Sequence, residues 1–280
     1  MKFTKVQGIG NDFVLVEAFA GWPVADPARL AKLVCDRHFG VGADGLIFIS
    51  RSQVADLSMR IWNADGSEAE MCGNAIRCLA KYAYQHGFCC REEMSVETPA
   101  GIRHIRLHLA AGQVSAVTVN MGSPILDPKL IPMGCDRHPA VLVPIVDQNQ
   151  VYRVTAVSTG VPHAVVFVPD VDAVDLEEQG SFLGRHPSFP SGTNVEFVQV
   201  IDRETVKVRV WERGVGPTLA CGTGACAVAV AAVLCGLTEP QLSVELPGGR
   251  LHIHWRNRQQ LFMTGPAEEV FSGHWPGLNL

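Results

Sequence analysis

Apolar and polar residues alternate with a period of two along much of the chain, which is the pattern of half-buried β-strands. The segment from Thr205 to Val210 is the clearest example. A strand is also predicted at the very start, over residues 1–6. The other predicted strands cover residues 13–17, 45–50, 57–62, 103–109, 114–120, 164–168, 195–200, 206–211, 250–255 and 260–264.

Helices are predicted over residues 27–35, 74–86, 176–186 and 223–235. The last of these is apolar on every side from Ala225 to Leu234, which predicts a helix that is buried all round. A sheet rolled around a central helix would bury it in this way. The proline-rich segment 124–146 is predicted to be a loop that carries the chain between two halves.

The chain contains two copies of one pattern. Cys72-Gly73 and Cys221-Gly222 each precede an alanine-rich run, and the two cysteines lie 221 − 72 = 149 positions apart. Four further pairs of segments recur in order at offsets of 148 to 150: residues 10–16 with 160–166, 42–45 with 192–195, 60–66 with 209–214, and 95–101 with 243–249. A period of about 150 residues indicates domain duplication, because solenoid repeats are much shorter.

The duplication predicts the fold class and the domains. We expect an α/β (α+β) fold of two pseudo-symmetric halves, each a rolled, barrel-like sheet around a central helix. Residues 1–118 plus 267–280 would form the N-terminal half with Cys72, and residues 119–266 the C-terminal half with Cys221. Clefts between like domains often bind small molecules, so the active site is expected in the cleft between the halves.

Composition excludes several classes of protein. The formal net charge is −5 and no basic stripe occurs, so no nucleic-acid partner is expected. No apolar run approaches the length of a membrane span, and the N-terminus lacks the apolar region of a signal peptide.

The nine cysteines are an odd number, and several lie in apolar helical runs. That usage predicts reduced thiols and a cytoplasmic protein. The histidines show no spacing typical of metal ligands, so no metal is expected.

Cys72 and Cys221 each stand at a predicted helix N-terminus, facing unpaired N–H groups and the positive end of the helix dipole. This environment predicts a lowered thiol pKa. Two such thiols, one in each half, could face one substrate from opposite sides. Cys78 and Cys226 lie deeper in the helices and are predicted to be packing residues.

The motifs resemble those of the diaminopimelate epimerase family over essentially the whole chain. The resemblance rests on residues 8–13, 63–66, 71–78, 192–197, 211–214 and 220–224. It implies an epimerase that needs no PLP or other cofactor. Such an enzyme interconverts LL- and meso-2,6-diaminopimelate in lysine and peptidoglycan-precursor biosynthesis. The resemblance also implies a homodimer.

The resemblance assigns roles to particular residues. Cys72 and Cys221 would be the catalytic thiols, with His163 assisting thiol ionisation and Glu212 holding the substrate ammonium. The helix-start N–H groups would bind the α-carboxylate, and three asparagines and an arginine would hold the distal end. The expected substrate-binding residues are Asn11, Asn63, Gly73, Asn74, Asn194, Glu212, Arg213, Gly222 and Thr223.

Two positions depart from the family pattern at the distal grip. Val161 stands where many members have asparagine, and Gly45 stands where some have glutamine. A related PLP-independent racemase of another amino acid is therefore an alternative, although Asn74 stands where a proline racemase would have histidine. An isomerase of the phenazine-biosynthesis type would lack the cysteine pair. A thiol redox or metal-binding protein is the other alternative, but the chain has no Cys-x-x-Cys pair.

Overall fold

A computed structural model describes residues 1–22, 24–147 and 150–276. The chain divides into two compact units. The first unit consists of Met1–Asn120 and the segment that begins at Thr264, and the second unit is Met121–Met263. The boundaries expected from the sequence, 118/119 and 266/267, lie two and three residues from these (120 − 118 and 266 − 263).

Strands are the most common regular element in both units. Up to the end of the eighth strand the elements are β1 (Lys2–Gly8), β2 (Asn11–Glu17), α1 (Pro27–Val34), β3 (Gly45–Ser50), β4 (Leu57–Asn63), β5 (Glu68–Ala69), α2 (Gly73–Gln85), β6 (Glu93–Thr98), β7 (Gly101–Ala110) and β8 (Gln113–Gly122). The chain continues through β9 (Val143–Asp147), β10 (Gln150–Ser158), β11 (Pro162–Phe167), a π-helical turn (Leu176–Gly180), α3 (Ser181–Gly184), β12 (Asn194–Val200), β13 (Thr205–Glu212), β14 (Gly216–Thr218), α4 (Gly222–Leu234), β15 (Gln241–Leu246), β16 (Gly249–Arg256), β17 (Gln260–Gly265) and β18 (Glu268–His274).

The strands pair in the same order in both units. In the first unit β1–β2 is antiparallel, β2–β3 parallel, β3–β4 antiparallel, β4–β6 parallel and β6–β7 antiparallel. In the second unit the corresponding pairs are β10–β11, β11–β12, β12–β13, β13–β15 and β15–β16, with the same directions in the same order. An outer strand pairs antiparallel with the first strand of each series, β18 with β1 and β9 with β10. The sequence repeat is therefore also a repeat of topology.

One long helix packs inside the strands of each unit. In the second unit α4 packs against β10, β11, β12, β15 and β16, and its residues from Gly224 to Ala232 are all buried. The predicted helix that is buried on every side is thus confirmed, as is the mixed α+β fold class. Small alanine and valine side chains allow the surrounding strands to approach α4 closely on all sides.

The matching helix α2 packs in the first unit against β1, β2, β4, β7 and β18, but it carries buried cations. Arg77 is fully buried, and its Nε donates to the carbonyl oxygen of Pro266 at 3.1 Å. Lys81 forms an ion pair of 2.8 Å with Glu268. These contacts tie α2 to the C-terminal segment of the same unit.

The structure corrects two predicted elements. The predicted helix over 176–186 is a π-helical turn followed by only four α-helical residues, Ser181–Gly184. The predicted loop 124–146 overlaps β9, which begins at Val143. Seven strands had no predicted counterpart: β5, β6, β9, β10, β14, β15 and β18. The other strands and helices lie at the predicted places.

Candidate active site

Cys221 is the N-cap residue of α4 and has an extended backbone, with φ −126° and ψ 110°. Only 5% of its surface is exposed. Its Sγ accepts a hydrogen bond from the N–H of Gly224 at 3.3 Å and lies 3.4 Å from the hydroxyl of Thr223. The thiol therefore sits at the positive end of the buried helix, as the sequence predicts.

The pKa of Cys221 nevertheless moves in the direction opposite to the prediction. Burial raises this pKa well above its ordinary value, and the carboxylates of Glu212 and Glu196 raise it further. The hydrogen bonds from Thr223 and Gly224 lower the pKa but do not compensate. The predicted lowering is wrong for Cys221, because desolvation and two carboxylates outweigh the helix terminus. Cys221 is accordingly a thiol at neutral pH.

Two fully buried side chains lie behind the Cys221 turn. His163 on β11 and Glu196 on the adjacent parallel strand β12 are both 0% exposed, and the distance from Nδ1 to Oε1 is 2.6 Å. A Cβ atom at Gly224 would stand 2.6 Å from the same Oε1 and 3.2 Å from the Sγ of Cys221. Only glycine at this position leaves room for the carboxylate beside the thiol.

Glu196 was not among the residues predicted for the site. It lies in the segment 192–197 that carries the family resemblance, but no role was assigned to it. The available signal was a single carboxylate in a strand whose neighbours Val195, Phe197 and Val198 are all apolar and fully buried. A charge in that position needs a partner, and His163 supplies it.

Glu212 lies at the end of β13 and completes the group around Cys221. Its Oε1 accepts a hydrogen bond from the hydroxyl of Thr218 at 2.6 Å, and its charge is one of those that raise the pKa of Cys221. The structure thus brings Cys221, Glu212 and the His163–Glu196 pair into one cluster in the second unit.

Asn194 and Arg213 are also neighbours in the second unit. The Oδ1 of Asn194 accepts the backbone N–H of Arg213 at 2.8 Å. One guanidinium nitrogen of Arg213 donates to the carbonyl oxygen of Ser191 at 2.7 Å. A guanidinium has five N–H donors, so this bond leaves others for a carboxylate. A bidentate grip by Arg213 stays a prediction.

In the first unit Cys72 is the N-cap residue of α2 and is half-buried. Its Sγ lies 3.8 Å from the Oδ1 of Asn11, and the side-chain amide of Asn74 donates to the same oxygen at 3.1 Å. The amide nitrogen of Asn11 donates to Asp44 at 2.6 Å. Since a carboxylate only accepts hydrogen bonds, Asp44 fixes which end of the Asn11 amide faces the thiol.

An ion-pair network holds Asp44 in turn, and the sequence did not reveal it. Arg37 bridges Asp44 and Asp12 at 2.7 and 2.8 Å, and Lys5 pairs with Asp12 at 2.6 Å. Burial by itself would raise the pKa of Asp12, but the hydrogen bonds and charges of Arg37 and Lys5 lower it to about 2. Asp12 is therefore ionised, and it anchors the cations that support Asn11.

The remaining positions are those expected near the distal end of the substrate. Asn63 is exposed at the end of β4 and donates to the hydroxyl of Ser67 at 2.9 Å. Its partner in register is Gly45, where a Cβ atom would stand 2.8 Å from the carbonyl oxygen of Trp62. The backbone packs so closely here that a side chain larger than that of glycine would not fit at position 45. Val161 is half-buried in the turn before β11.

We searched the described residues for a metal site and for a membrane-spanning helix. Within residues 1–22, 24–147 and 150–276, no group of three or more His, Cys, Asp or Glu side chains is arranged to hold a metal ion. No helix in that same part of the chain has the length and apolar character needed to cross a membrane.

Solved structures with this fold are distant in sequence. A hydroxyproline epimerase from Agrobacterium vitis superposes with a TM-score of 0.73 at 17% identity, covering 98% of this chain and 91% of that one. A protein of the phenazine-biosynthesis PhzF family from Bacillus anthracis superposes with a TM-score of 0.71 at 17% identity, covering 98% of both chains. Both likenesses show that this chain shares the duplicated fold of these proteins.

The sequence comparisons identify the family to which the chain belongs. The family profile described as "Diaminopimelate epimerase" matches residues 3–126 and 155–270. A relative of that name from Pelotomaculum thermopropionicum is 51% identical over 277 residues, which cover 99% of each chain. Another from Methanococcus maripaludis is 47% identical over 274 residues, covering 98% of this chain and 99% of the relative. The chain belongs to the diaminopimelate epimerase family.

Proposed function

We propose that the protein interconverts LL- and meso-2,6-diaminopimelate by a cofactor-independent two-base reaction, as an isomerase of lysine and peptidoglycan-precursor biosynthesis. The observation that carries this proposal is that Cys72 and Cys221 are the N-cap residues of the matched helices α2 and α4. The names of relatives that are about half identical over nearly the full length support the choice of substrate.

Inversion of an α-carbon requires a proton to leave one face and another proton to reach the opposite face. In the proposed reaction one cysteine thiolate takes the α-proton and becomes a thiol. The other cysteine thiol gives its proton to the opposite face and becomes a thiolate. Charge and protons balance, and the two thiols have exchanged their protonation states after one turnover. The raised pKa of Cys221 suits it to begin as the proton donor, with Cys72 as the base.

The intermediate carbanion needs electrostatic stabilisation, because an amino-acid α-proton is very weakly acidic. Backbone N–H groups at Gly73–Asn74 and Gly222–Thr223 lie in the first turns of α2 and α4. We propose that they bind the α-carboxylate, where helix N-termini favour negative charge. The carboxylate of Glu212 would hold the substrate ammonium beside Cys221.

The distal amino-acid end would be held by Asn11, Asn63, Asn194 and Arg213. The Asp44 contact orients Asn11, and Asn194 is joined to the backbone of Arg213. These contacts support a pre-organised grip. Arg213 would meet the distal carboxylate, which is the partner that guanidinium geometry favours.

We further propose a cytoplasmic homodimer with no nucleic-acid or membrane partner. The family resemblance supports the dimer. An odd number of cysteines, several of them buried in apolar helices, supports a reducing compartment. Size-exclusion chromatography with light scattering tests the dimer, and a mass of one chain, about 30.3 kDa, would contradict it.

Proton NMR of the purified protein with LL-diaminopimelate in D₂O, without added PLP, tests the main proposal. We expect deuterium at one α-carbon together with meso product. If no exchange occurs, the substrate assignment is wrong, and a panel of other amino acids tests the related racemase. Solvent deuterium entering one of those amino acids would keep the two-thiol chemistry and change its substrate.

A further inference from the structure

The His163–Glu196 pair is buried more completely than either thiol. Both side chains are 0% exposed, and their contact of 2.6 Å joins adjacent parallel strands. Two of their polar atoms, Nε2 of His163 and Oε2 of Glu196, have no hydrogen-bond partner among the described residues. A fully buried polar pair with spare atoms beside a reactive thiol points to a role in the chemistry as well as in packing.

The contact with Glu196 favours one tautomer of His163. A carboxylate without a proton can only accept hydrogen bonds, and beside such a carboxylate the nitrogen 2.6 Å from Glu196, Nδ1, would carry the proton of the histidine ring. In a neutral imidazole the other nitrogen, Nε2, is then an acceptor. In that arrangement Nε2 is the basic nitrogen of His163.

The same carboxylate also acts on the thiol. Its Oε1 lies where a Cβ atom of Gly224 would be only 2.6 Å away, directly against the turn that carries Cys221. The charged groups that face Cys221 are Glu196 from β12 and Glu212 from β13, and the N–H of Gly224 and the hydroxyl of Thr223 face it from α4. Of the two carboxylates, Glu196 is the one that is fully buried, and it contacts His163.

We propose that Glu196 is a positioning residue of the Cys221 half-site, which holds His163 as the Nδ1–H tautomer and keeps Cys221 protonated until substrate binds. This inference rests on the proposed function only for its effect on turnover. Its effects on the histidine and on the thiol are properties of the free protein.

The proposed effect of Glu196 on the Cys221 thiol is tested by alkylation with iodoacetamide as a function of pH. The Cys221 peptide is quantified by mass spectrometry. Iodoacetamide reacts with the thiolate, so the midpoint reports the thiol pKa. In Glu196→Gln the amide oxygen can still accept from His163, but the charge is gone. We expect the midpoint of alkylation to fall by at least about one pH unit. At a fixed pH below both midpoints, alkylation would then be about tenfold faster in the variant.

Glu204→Gln is the matched control, since Glu204 is an exposed carboxylate of the same unit. We expect its midpoint to equal that of the unaltered protein. An unchanged midpoint in a folded Glu196→Gln variant would overturn the proposal, because a purely structural glutamate would leave the thiol pKa where it was.

The histidine is tested in the unaltered protein, so the result does not depend on how a variant folds. Nitrogen-15 NMR of histidine-labelled protein distinguishes the two tautomers. We expect His163 to show a protonated Nδ1 and an unprotonated Nε2. The opposite tautomer would refute the proposed role of Glu196.

Turnover is measured last, with diaminopimelate. We expect Glu196→Gln to lower kcat by roughly tenfold or more with a smaller change in KM, because the group orients acid–base chemistry and does not touch substrate. Absence of turnover in the unaltered protein would refute the proposed function alone, and the alkylation and NMR results would still decide the role of Glu196.

Discussion

Gly224 and Glu196 are in contact because Gly224 has no side chain: a Cβ atom there would lie 2.6 Å from the glutamate Oε1. Gly224→Ala should therefore displace either the carboxylate or the first turn of α4. We expect a loss of about 1–3 kcal/mol in the free energy of unfolding and a large loss of turnover. Denaturant unfolding and activity assays measure both. Gly134→Ala is the control, since its nearest neighbour would be at 3.9 Å, and equal losses in the two variants would contradict the contact.

The proposed two-base reaction predicts that neither thiol is dispensable. Cys72→Ala and Cys221→Ala should each lower epimerisation by roughly 10²- to 10⁴-fold, because each removes proton transfer at one face. Cys90→Ala is the matched control, as Cys90 is an exposed free cysteine outside the helix termini. Near-normal turnover in either of the first two variants would rule out the two-base assignment.

Oxidation offers a separate test of the same proposal. The proposed reaction places Cys72 and Cys221 on opposite faces of one α-carbon, and we expect that oxidation joins them when no substrate is bound. We expect peroxide to abolish activity, a reducing agent to restore it, and peptide mapping to find the two cysteines joined. Inactive protein in which both thiols can still be alkylated would argue against this.

Asp44 is predicted to act through Asn11. Asp44→Asn gives the Asn11 amide a partner that can donate as well as accept, so the fixed orientation beside Cys72 is lost. We expect catalytic efficiency to fall by about tenfold, since misoriented binding groups cost rate, while the fold is retained. Asp136→Asn, at an exposed carboxylate, serves as the control. Unchanged kcat/KM in Asp44→Asn would show that Asn11 needs no such support.

The Asp12 ion pairs predict a pH dependence of stability. The pKa of Asp12 is about 2 in the folded protein against 3.8 ordinarily, so its stabilisation is present above pH 4 and is lost as the pH falls towards 2. The difference corresponds to about 2 kcal/mol. Unfolding free energies of the protein and of Asp12→Asn, measured from pH 6 to pH 3, should converge as the pH falls. A constant gap would show that the carboxylate charge contributes nothing.

The sequence predicts features that are local or repeated. The uniform apolarity of residues 225–234 correctly predicts a helix that is buried on every side, and the offset of 149 correctly pairs Cys72 with Cys221. Strands such as β6 and β15 escaped prediction because their outward positions carry Ser and Glu, which do not favour strands.

Features that depend on distant residues were not predictable in this way. The sequence around Cys221 shows a helix terminus, which lowers a thiol pKa. The opposing carboxylates, Glu196 and Glu212, arrive on strands 25 and 9 positions earlier (221 − 196 and 221 − 212). Their effect on the pKa of Cys221, and the desolvation that dominates it, depend on how the strands of the second unit pack around α4.

The contacts of β18 have a consequence for the order of biosynthesis. The second unit is one uninterrupted stretch of chain, whereas the first strand, β1, pairs with β18, and Arg77 and Lys81 on α2 bond to Pro266 and Glu268. On a ribosome, which delivers the chain from its N-terminus, the unit that is begun first must therefore wait for residues 264–274. All residues of the unit that holds Cys221 have been synthesised before the unit that holds Cys72 is complete. In a nascent chain the site around Cys221 can therefore form first, although Cys72 comes first in the sequence.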